Sequence, residues 1–336
     1  MHFQELGIVR RHPRNPVLTG ADVPYGSKLV FNAGVAKFQG KYVMAFRNDY
    51  GAAKADFAAG RGSLRTNIGL AVSDDGIGWE VKEKPCFSLS GDGINRAYDP
   101  RLTVIDGRCY MCFAVDGPAG VRGGIAVTDD FDRFEILHLS EPDNRNMVLF
   151  PERIGGEFIR LDRPFPVYGK GGGEYFDTWL SHSPDCRYWG GHQRLLTHDM
   201  IPFCNSKTGP AAPPVRTGGG YLTSFHAVWK LDSPALPSWD PGGWNKIYTA
   251  GIMLLDLEDP SKVLGIAEKP LIAPRTEYEL NGFRGSAIFP GGMILEESGE
   301  VKIYYGAADT VECLATADID ELISACLAGG RARKCS

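Results

Sequence analysis

No apolar stretch in the 336 residues approaches the roughly 18 that a bilayer-crossing helix needs. The N-terminal MHFQELGIVRRHPRNPVL lacks the apolar centre of a secretory leader. Helical patterns are scarce too; the clearest is DIDELISACLAGG (318–330), with acids in its first turn and a Gly-Gly stop. Several chemistries lack their motifs. There is no Gly-x-Ser-x-Gly elbow, and His182, His192 and His198 fall in turn-rich segments without zinc spacing. The glycine-rich GKGGGE (169–174) and RTGGG (216–220) lack the Lys-Ser/Thr and the strand–loop–helix setting of a nucleotide loop, and read as flexible loops. Cys109 and Cys112 have zinc-knuckle spacing, but GRCYMCFAVD is a strand pattern with no second pair nearby, so they read as small buried hydrophobes. The eight dispersed cysteines and the missing leader imply a cytoplasmic protein with reduced thiols. A net charge of −5 argues against a general nucleic-acid surface. No metal, organic cofactor, nucleic-acid partner or membrane is expected.

What is present is β structure. The hydrophobic fraction of 43% supplies a sizeable core, so no disulfide staple is required. Glycine (42) and proline (22) are plentiful, as suits a turn-rich architecture. A glycine turn leads into an apolar strand five times: QGKYVMAFRND (39–49), DGRCYMCFAVD (106–116), GGEFIRLDRP (155–164), GGYLTSFHAV (219–228) and GEVKIYYGAAD (299–309). Each is followed by a second strand ending in a polar turn, as in IGLAVSDDGIGWE and GGIAVTDDFDRFE. Five copies of this unit predict a five-bladed β-propeller with a short C-terminal helix. A large β-sandwich is the alternative. The propeller reading makes residues 1–336 one domain, with an N-terminal arm over about 1–27 and the helix at about 318–330.

Arginine is concentrated in one place. Arg145, Arg153, Arg160 and Arg163 lie in NRNMVLFPERIGGEFIRLDRP (144–164), with Arg133 just outside. Counting seven residues on from the turn glycine reaches Arg47, Arg163 and His226 in three different repeats. Equivalent positions of equivalent strands point the same way. If these strands line the propeller axis, the three residues converge on one pocket. Arg153 and Arg160 fall on the outer face of the hairpin or in its turn.

One carboxylate stands out. Asp99 in AYDPRLTVIDG (97–107) lies between Tyr98 and Pro100. Partial desolvation raises the pKa of such a group toward that of a general acid. An Asp-Pro turn with Arg101 as a structural ion-pair partner is an equally open reading. Second carboxylates for glycoside chemistry are Asp49, Asp116 and Asp309, each at a strand end. Yet the converging residues are mostly cation-capable: Arg47, Arg145, Arg163, Lys207 and His226. A hydrolase needs a base to activate water, whereas phosphate arrives ionised and needs cations to hold it. The set therefore favours phosphate as the attacking species. Trp239 and Trp244 interrupt the fourth repeat, where they either stack on a sugar ring or seal an oligomer contact.

Five ordered blocks carry a resemblance: VFNAGVAKFQGKYVMAFRND, YDPRLT, NRNMVLFPERIGGEFIRLDRP, SKTGPAAPPVRTGGGYLTSFHAV and YYGAADT. Over roughly 28–325 the chain resembles glycoside hydrolase family 130, the inverting β-mannoside phosphorylases with a five-bladed propeller. The resemblance implies Asp99 as catalytic acid, its proton relayed through the mannose 3-hydroxyl. It implies phosphate held by Arg145, Asn146, Arg163, Lys207 and His226, and a mannosyl subsite lined by Asn32, Arg47, Tyr98 and Asp309. The β-1,2 branch tends to carry an acidic residue before the acid and a Lys in place of Arg145. Tyr98 and Arg145 therefore resemble the β-1,4 branch more closely. The implied activity is phosphorolysis of β-1,4-linked mannosides (mannosyl-glucose, mannosyl-N-acetylglucosamine or mannooligosaccharide) to α-mannose 1-phosphate, with phosphate as co-substrate. A β-1,2-mannoside phosphorylase, a β-mannosidase using Asp309 or Asp116 as base, and a non-catalytic sugar-binding propeller are the alternatives. A homo-oligomer is in keeping with the resemblance. FPVYGKGGGEYFDTW after DRP, and the longer Trp239/Trp244 loop, depart from the β-1,4 pattern where acceptor contacts are expected.

Overall fold

The computed structural model describes residues 3–51, 63–165, 176–233, 235–239 and 242–330. The GKGGGE loop and Cys335 lie outside them. Strand β1 (Arg10–Arg11) stands apart from its sequence neighbours, and the other strands fall into five antiparallel sheets. Blade one holds β2 (Leu29–Phe38), β3 (Lys41–Gly51), β4 (Leu64–Ser73) and β5 (Glu80–Val81). Blade two holds β6 (Arg96–Ile105), β7 (Arg108–Gly117), β8 (Gly120–Thr128) and β9 (Glu135–Leu139). Blade three holds β10 (Asn144–Leu149), β11 (Phe158–Pro164), β12 (Thr178–Ser183) and β13 (Gly190–Leu196). Blade four holds β14 (Lys207–Pro210), β15 (Val215–Thr217), β16 (Gly220–Lys230), β17 (Lys246–Leu255) and β18 (Val263–Ile266). Blade five holds β19 (Ile288–Leu295), β20 (Glu300–Ala307) and β21 (Val311–Asp318), and β1 closes it by pairing Arg10 with Thr316 and Arg11 with Ala315. The predicted five-bladed propeller is the fold. The expected C-terminal helix is Ile319–Ala328, with Asp318 accepting from the backbone N–H groups of Asp320 and Glu321 at its start.

The glycine turns lie between the first and second strands of each blade. Gln39-Gly40 and Asp106-Gly107 have positive φ at both positions, the two-residue turn whose twist matches the flanking strands. The repeated strands after these turns are therefore the second strands β3, β7, β11, β16 and β20, whereas the sequence register took them for the axial ones. The axial strands are β2, β6, β10, β14 and β19, which begin each sheet and pack on one another around the centre. The polar turns at the opposite ends also repeat. Asp75, Asp130 and Asp185 each accept two backbone N–H groups through one carboxylate oxygen, at 2.8–3.0 Å.

Apolar side chains fill the five gaps between neighbouring blades. Fully burying a residue such as Phe225 or Tyr304 is worth about 1.5–3 kcal/mol. Cys109 packs between blades one and two and Cys112 between blades two and three, so the two thiols face opposite sides of β7 and cannot share an ion. RTGGG, expected as a flexible loop, is the tight hairpin of β15 and β16, closed by Thr217 Oγ1 donating to Gly220 O at 2.7 Å.

Candidate active site

Three axial strands carry a bulge that holds a left-handed residue, and β19 also slips in register, between Pro290 and Gly292. The register of β2 slips between Phe31 and Gly34, that of β6 between Tyr98 and Arg101, and that of β10 between Arg145 and Val148. Each bulge contains one left-handed residue: Asn32 (φ 53), Asp99 (φ 55) and Asn146 (φ 60). A bulge re-aims the side chain it carries. These three turn toward the axis, where they line one pocket with Arg47, Arg145 and Asp309. The close approach demands glycine nearby, since a Cβ at Gly306 would meet Asn32 Oδ1 at 2.5 Å.

Asp99 is held on two sides. Asn32 Nδ2 donates to its Oδ1 at 3.2 Å, and Arg47 Nη1 lies 3.3 Å from the same oxygen. Burial pushes this carboxyl up, but the charges of Arg47, Arg101 and Arg145 outweigh burial, and the net shift is downward. The expectation of an acid raised by desolvation is thereby corrected: in the free protein Asp99 is a carboxylate in a cationic field. Arg101 is no direct ion-pair partner. It donates instead to Ala211 O (2.7 Å), Asn32 O (3.0 Å) and Pro100 O (2.7 Å), tying blades one, two and four together at the axis.

The other carboxylates are engaged differently. Arg47 donates to both oxygens of Asp49 at 3.0 and 2.7 Å, and Thr66 Oγ1 donates to Asp49 at 2.7 Å. Asp309 (φ 49) lies 3.5 Å from Arg284, and burial raises its carboxyl despite Arg284 and Arg47. Asp116 pairs with Arg96 at 2.9 Å, outside the axial pocket.

The cations gather on blades three and four. Arg163, only 1% exposed, lies 2.9 Å from His226 through Nη1, while its Nε and Nη2 have no partner. Arg145 donates to the Tyr98 hydroxyl at 3.5 Å and leaves Nε unpartnered. Burial and the neighbouring Arg145 charge lower Arg163 to about 9. Such orphaned donors on buried guanidinium groups are costly unless an anion meets them. Gly209 makes room here, because a Cβ there would meet His226 Cε1 at 2.6 Å and Arg163 Cδ at 2.8 Å.

His226 is not one of the cations. Its Nδ1 lies 3.3 Å from Pro210 O and its Nε2 faces Arg163, so Nδ1–H donates and Nε2 accepts. Burial and the charges of Arg163, Arg145 and Lys207 keep it neutral. It stacks on Phe289 at 4.7 Å and orients Arg163. Lys207 begins β14, with its ammonium 4.9 Å from the Phe176 ring. Tyr98 is buried between Arg47 and Arg96, whose guanidinium centres lie 5.2 and 4.7 Å from its ring.

Of the remaining arginines, Arg153 sits at the turn beside Asp106, at 3.4 Å. Arg160, expected on the outer face, is buried between blades two and three, paired with Asp162 at 2.9 Å and stacked on Trp189 at 4.2 Å. Neither joins the pocket. The sequence reading missed four lining residues, Tyr248, Arg284, Ala287 and Phe289, which lie outside the turn-and-strand count. Trp244 lines the pocket and stacks on Tyr248 at 5.9 Å, whereas Trp239 packs on Leu29, Phe31 and Phe283.

A propeller whose axial bulges present one carboxylate toward buried, anion-seeking arginines is the frame of a carbohydrate-active enzyme. The family model described as beta-1,4-mannooligosaccharide phosphorylase matches residues 9–327, so the chain belongs to glycoside hydrolase family 130. A beta-1,4-mannooligosaccharide phosphorylase of Ruminococcus albus is 28% identical over 323 residues, covering 94% of this chain and 90% of that protein. A 1,2-beta-oligomannan phosphorylase of a Thermoanaerobacter species is 30% identical over 268 residues, covering 78% and 81%. Among solved structures, the beta-1,2-mannobiose phosphorylase of Listeria innocua in complex with beta-1,2-mannobiose superposes with a TM-score of 0.80 at 25% identity, covering 95% and 99%.

Proposed function

We propose that the protein is an inverting mannoside phosphorylase that cleaves β-1,4-linked mannosides with inorganic phosphate. The observation that carries the reading is the pair formed by the buried Arg163 and the half-buried Arg145, with unpartnered N–H donors on the blade-three side of Asp99. Phosphate held there by Arg145, Asn146, Arg163 and Lys207, with His226 orienting Arg163, attacks C1 of the mannosyl unit. Asn32, Arg47, Tyr98 and Asp309 hold that unit. As the new C1–O bond forms, the bond to the acceptor sugar breaks. Asp99, ionised in the free protein, takes up a proton as the phosphate anion offsets the charge of Arg145; the departing oxygen then takes the 3-hydroxyl proton, and that hydroxyl is reprotonated by Asp99. Attack opposite the leaving group gives α-mannose 1-phosphate and the free acceptor. Asp99 ends as the carboxylate that the surrounding arginines favour.

Tyr98 and Arg145 in mutual contact support the β-1,4 linkage, and the resemblance to β-1,2 enzymes makes that linkage the competing outcome. The same reading puts the enzyme in the cytoplasm, in keeping with free cysteines at the described positions. The test runs the reaction backward. The protein is incubated with α-mannose 1-phosphate and a panel of acceptors, and phosphate release and product linkage are followed. Release with an acceptor and a β-1,4 product is expected, and a β-1,2 product would move the enzyme to the other branch. Liberation of mannose from β-mannosides at equal rates with and without phosphate would replace phosphorolysis by hydrolysis.

A further inference from the structure

Blade five reaches into blade one through Glu312, a fully buried residue of β21. Its backbone is fixed by Leu18, which exchanges two bonds with it at 3.0 and 3.3 Å. Across the ladder Glu312 faces Gly306 on β20, and residues paired in this way project to the same face. A Cβ at Gly306 would meet Asn32 N at 2.7 Å and Asn32 Oδ1 at 2.5 Å. The bare glycine therefore leaves room for Glu312 to reach β2, where its Oε2 accepts from Ala33 N at 3.1 Å.

The Ala33 N–H and the Asn32 carbonyl belong to one peptide unit. That carbonyl accepts from Arg101 Nη1 at 3.0 Å, so the unit is held at both ends. It lies in the β2 bulge, where Asn32 and Ala33 have no register partner on β3. Buried peptide groups left unpaired are costly. Arg101 and Glu312 supply the donor and the acceptor that β3 does not. Holding this peptide fixes the left-handed turn at Asn32 (φ 53) and the side chain whose Nδ2 donates to Asp99 at 3.2 Å. The residue after the β6 bulge is Pro100, which has no N–H and needs no such acceptor.

For packing alone a carboxyl is a costly choice here. Cys313, Leu314 and Ala315, which follow it on β21, are all buried and apolar. Glu312 Oε1 has no hydrogen-bond partner, and burial pushes the carboxyl up to about 8 despite the Ala33 N–H and the Arg101 charge. A leucine would fill the same space without that cost. What the glutamate adds is the acceptor for Ala33. We propose that Glu312 is a positioning residue for the catalytic acid: by holding the Asn32–Ala33 peptide it sets the hydrogen bond through which Asn32 orients Asp99. The proposal rests on the reading of Asp99 as the acid, and holds whether phosphate or water attacks.

The test measures kcat for synthesis from α-mannose 1-phosphate with the acceptor panel, and for hydrolysis of β-1,4-mannobiose in phosphate-free buffer. Glu312→Gln keeps the reach and a neutral acceptor, and should retain kcat within about threefold. Glu312→Leu keeps the volume without the acceptor, and should lower kcat about 10²-fold, the scale of a small misplacement of a catalytic group. Added to Asn32→Gly, which already lacks the bond to Asp99, Glu312→Leu should cost no more than about a further twofold. Glu312→Asp, one methylene short of Ala33, should fall between the two and serves the same comparison where the leucine variant does not fold. Equal losses in the wild-type and Asn32→Gly backgrounds would make Glu312 a merely structural residue and overturn the proposal. So would wild-type kcat in both the leucine and the aspartate variants. Mannose released without phosphate, with the same order of variants, overturns phosphorolysis and keeps the positioning role. An Asp99→Asn variant as active as wild type removes the acid, and the proposal with it.

Discussion

Arg163→Met should make the protein more stable in phosphate-free buffer. Arg163 lies among Arg145, Phe165 and Phe176, with the neutral His226 as its one recorded hydrogen-bond partner. Its fall from the ordinary arginine value to about 9 corresponds, at about 1.4 kcal/mol per pH unit, to a cost on the order of 5 kcal/mol. The sign follows from proton counting. Between about pH 9 and the ordinary arginine value the unfolded chain holds a proton that the folded one releases, so stability rises with pH through that window and the whole cost is present at pH 7. Methionine removes the charge but leaves His226 Nε2 without its donor, which returns about 1–3 kcal/mol. The variant should therefore gain about 2 kcal/mol or more by urea unfolding. Phosphate at a hundred times its Kd should stabilise wild type by about 2.7 kcal/mol and the variant hardly at all. A variant destabilised by about 3–5 kcal/mol without phosphate would refute the argument, because that is the signature of breaking a compensated buried pair.

Other consequences can be checked alongside. Asp99→Asn should cost about 10²–10⁴ in turnover while leaving phosphate-induced stabilisation in place; loss of that stabilisation would mean that Asp99 shapes the anion site rather than acting as acid. Although burial pushes Asp99 up, Arg47, Arg101 and Arg145 hold it below the usual carboxylate range. Its ionised form therefore contributes stability above the unfolded value, and that contribution is lost as pH falls through the folded one. An anion beside Arg145 offsets part of this field, so sulfate binding near neutral pH should be accompanied by proton uptake, read by calorimetry in two buffers of different ionisation heat. Uptake that persists in Asp99→Asn would assign the proton elsewhere. Arg101→Met leaves buried carbonyls on three blades without their donor and should cost about 3–5 kcal/mol by urea unfolding. A loss within about 0.5 kcal/mol would mean that water replaces the guanidinium.

The blade count was legible because type I′ turns and polar capping turns leave short, local signatures, such as Gln39-Gly40 and Ser73-Asp74-Asp75. Strand position within the blade was not. A second strand and an axial strand are equally apolar, and only the pairing of β2 with β3 tells them apart. The bulges at Asn32, Asp99 and Asn146 were equally hidden, because one extra residue in a strand resembles ordinary alternation until its partner is known. Arg160 and Arg163 lie three residues apart with the same chemistry. One finds Asp162 between two blades, and the other finds no carboxylate partner among the described residues. His226 could be placed by counting, but its neutrality depends on Pro210 and Arg163, which only the fold brings to it.

The closure of blade five by β1 gives the molecule a built-in order of events. Arg10 pairs with Thr316, and the same seam carries Glu312, whose buried carboxyl accepts from Ala33 N at 3.1 Å beside the Asn32 bulge. The earliest and latest parts of the chain must meet before the first-blade half of the pocket faces the fifth. Contacts so distant in sequence carry a large loop-closure cost. A chain still being synthesised therefore carries the anion-seeking arginines of blade three before it carries the closed pocket. The pocket is complete only once β1 and β21 have met.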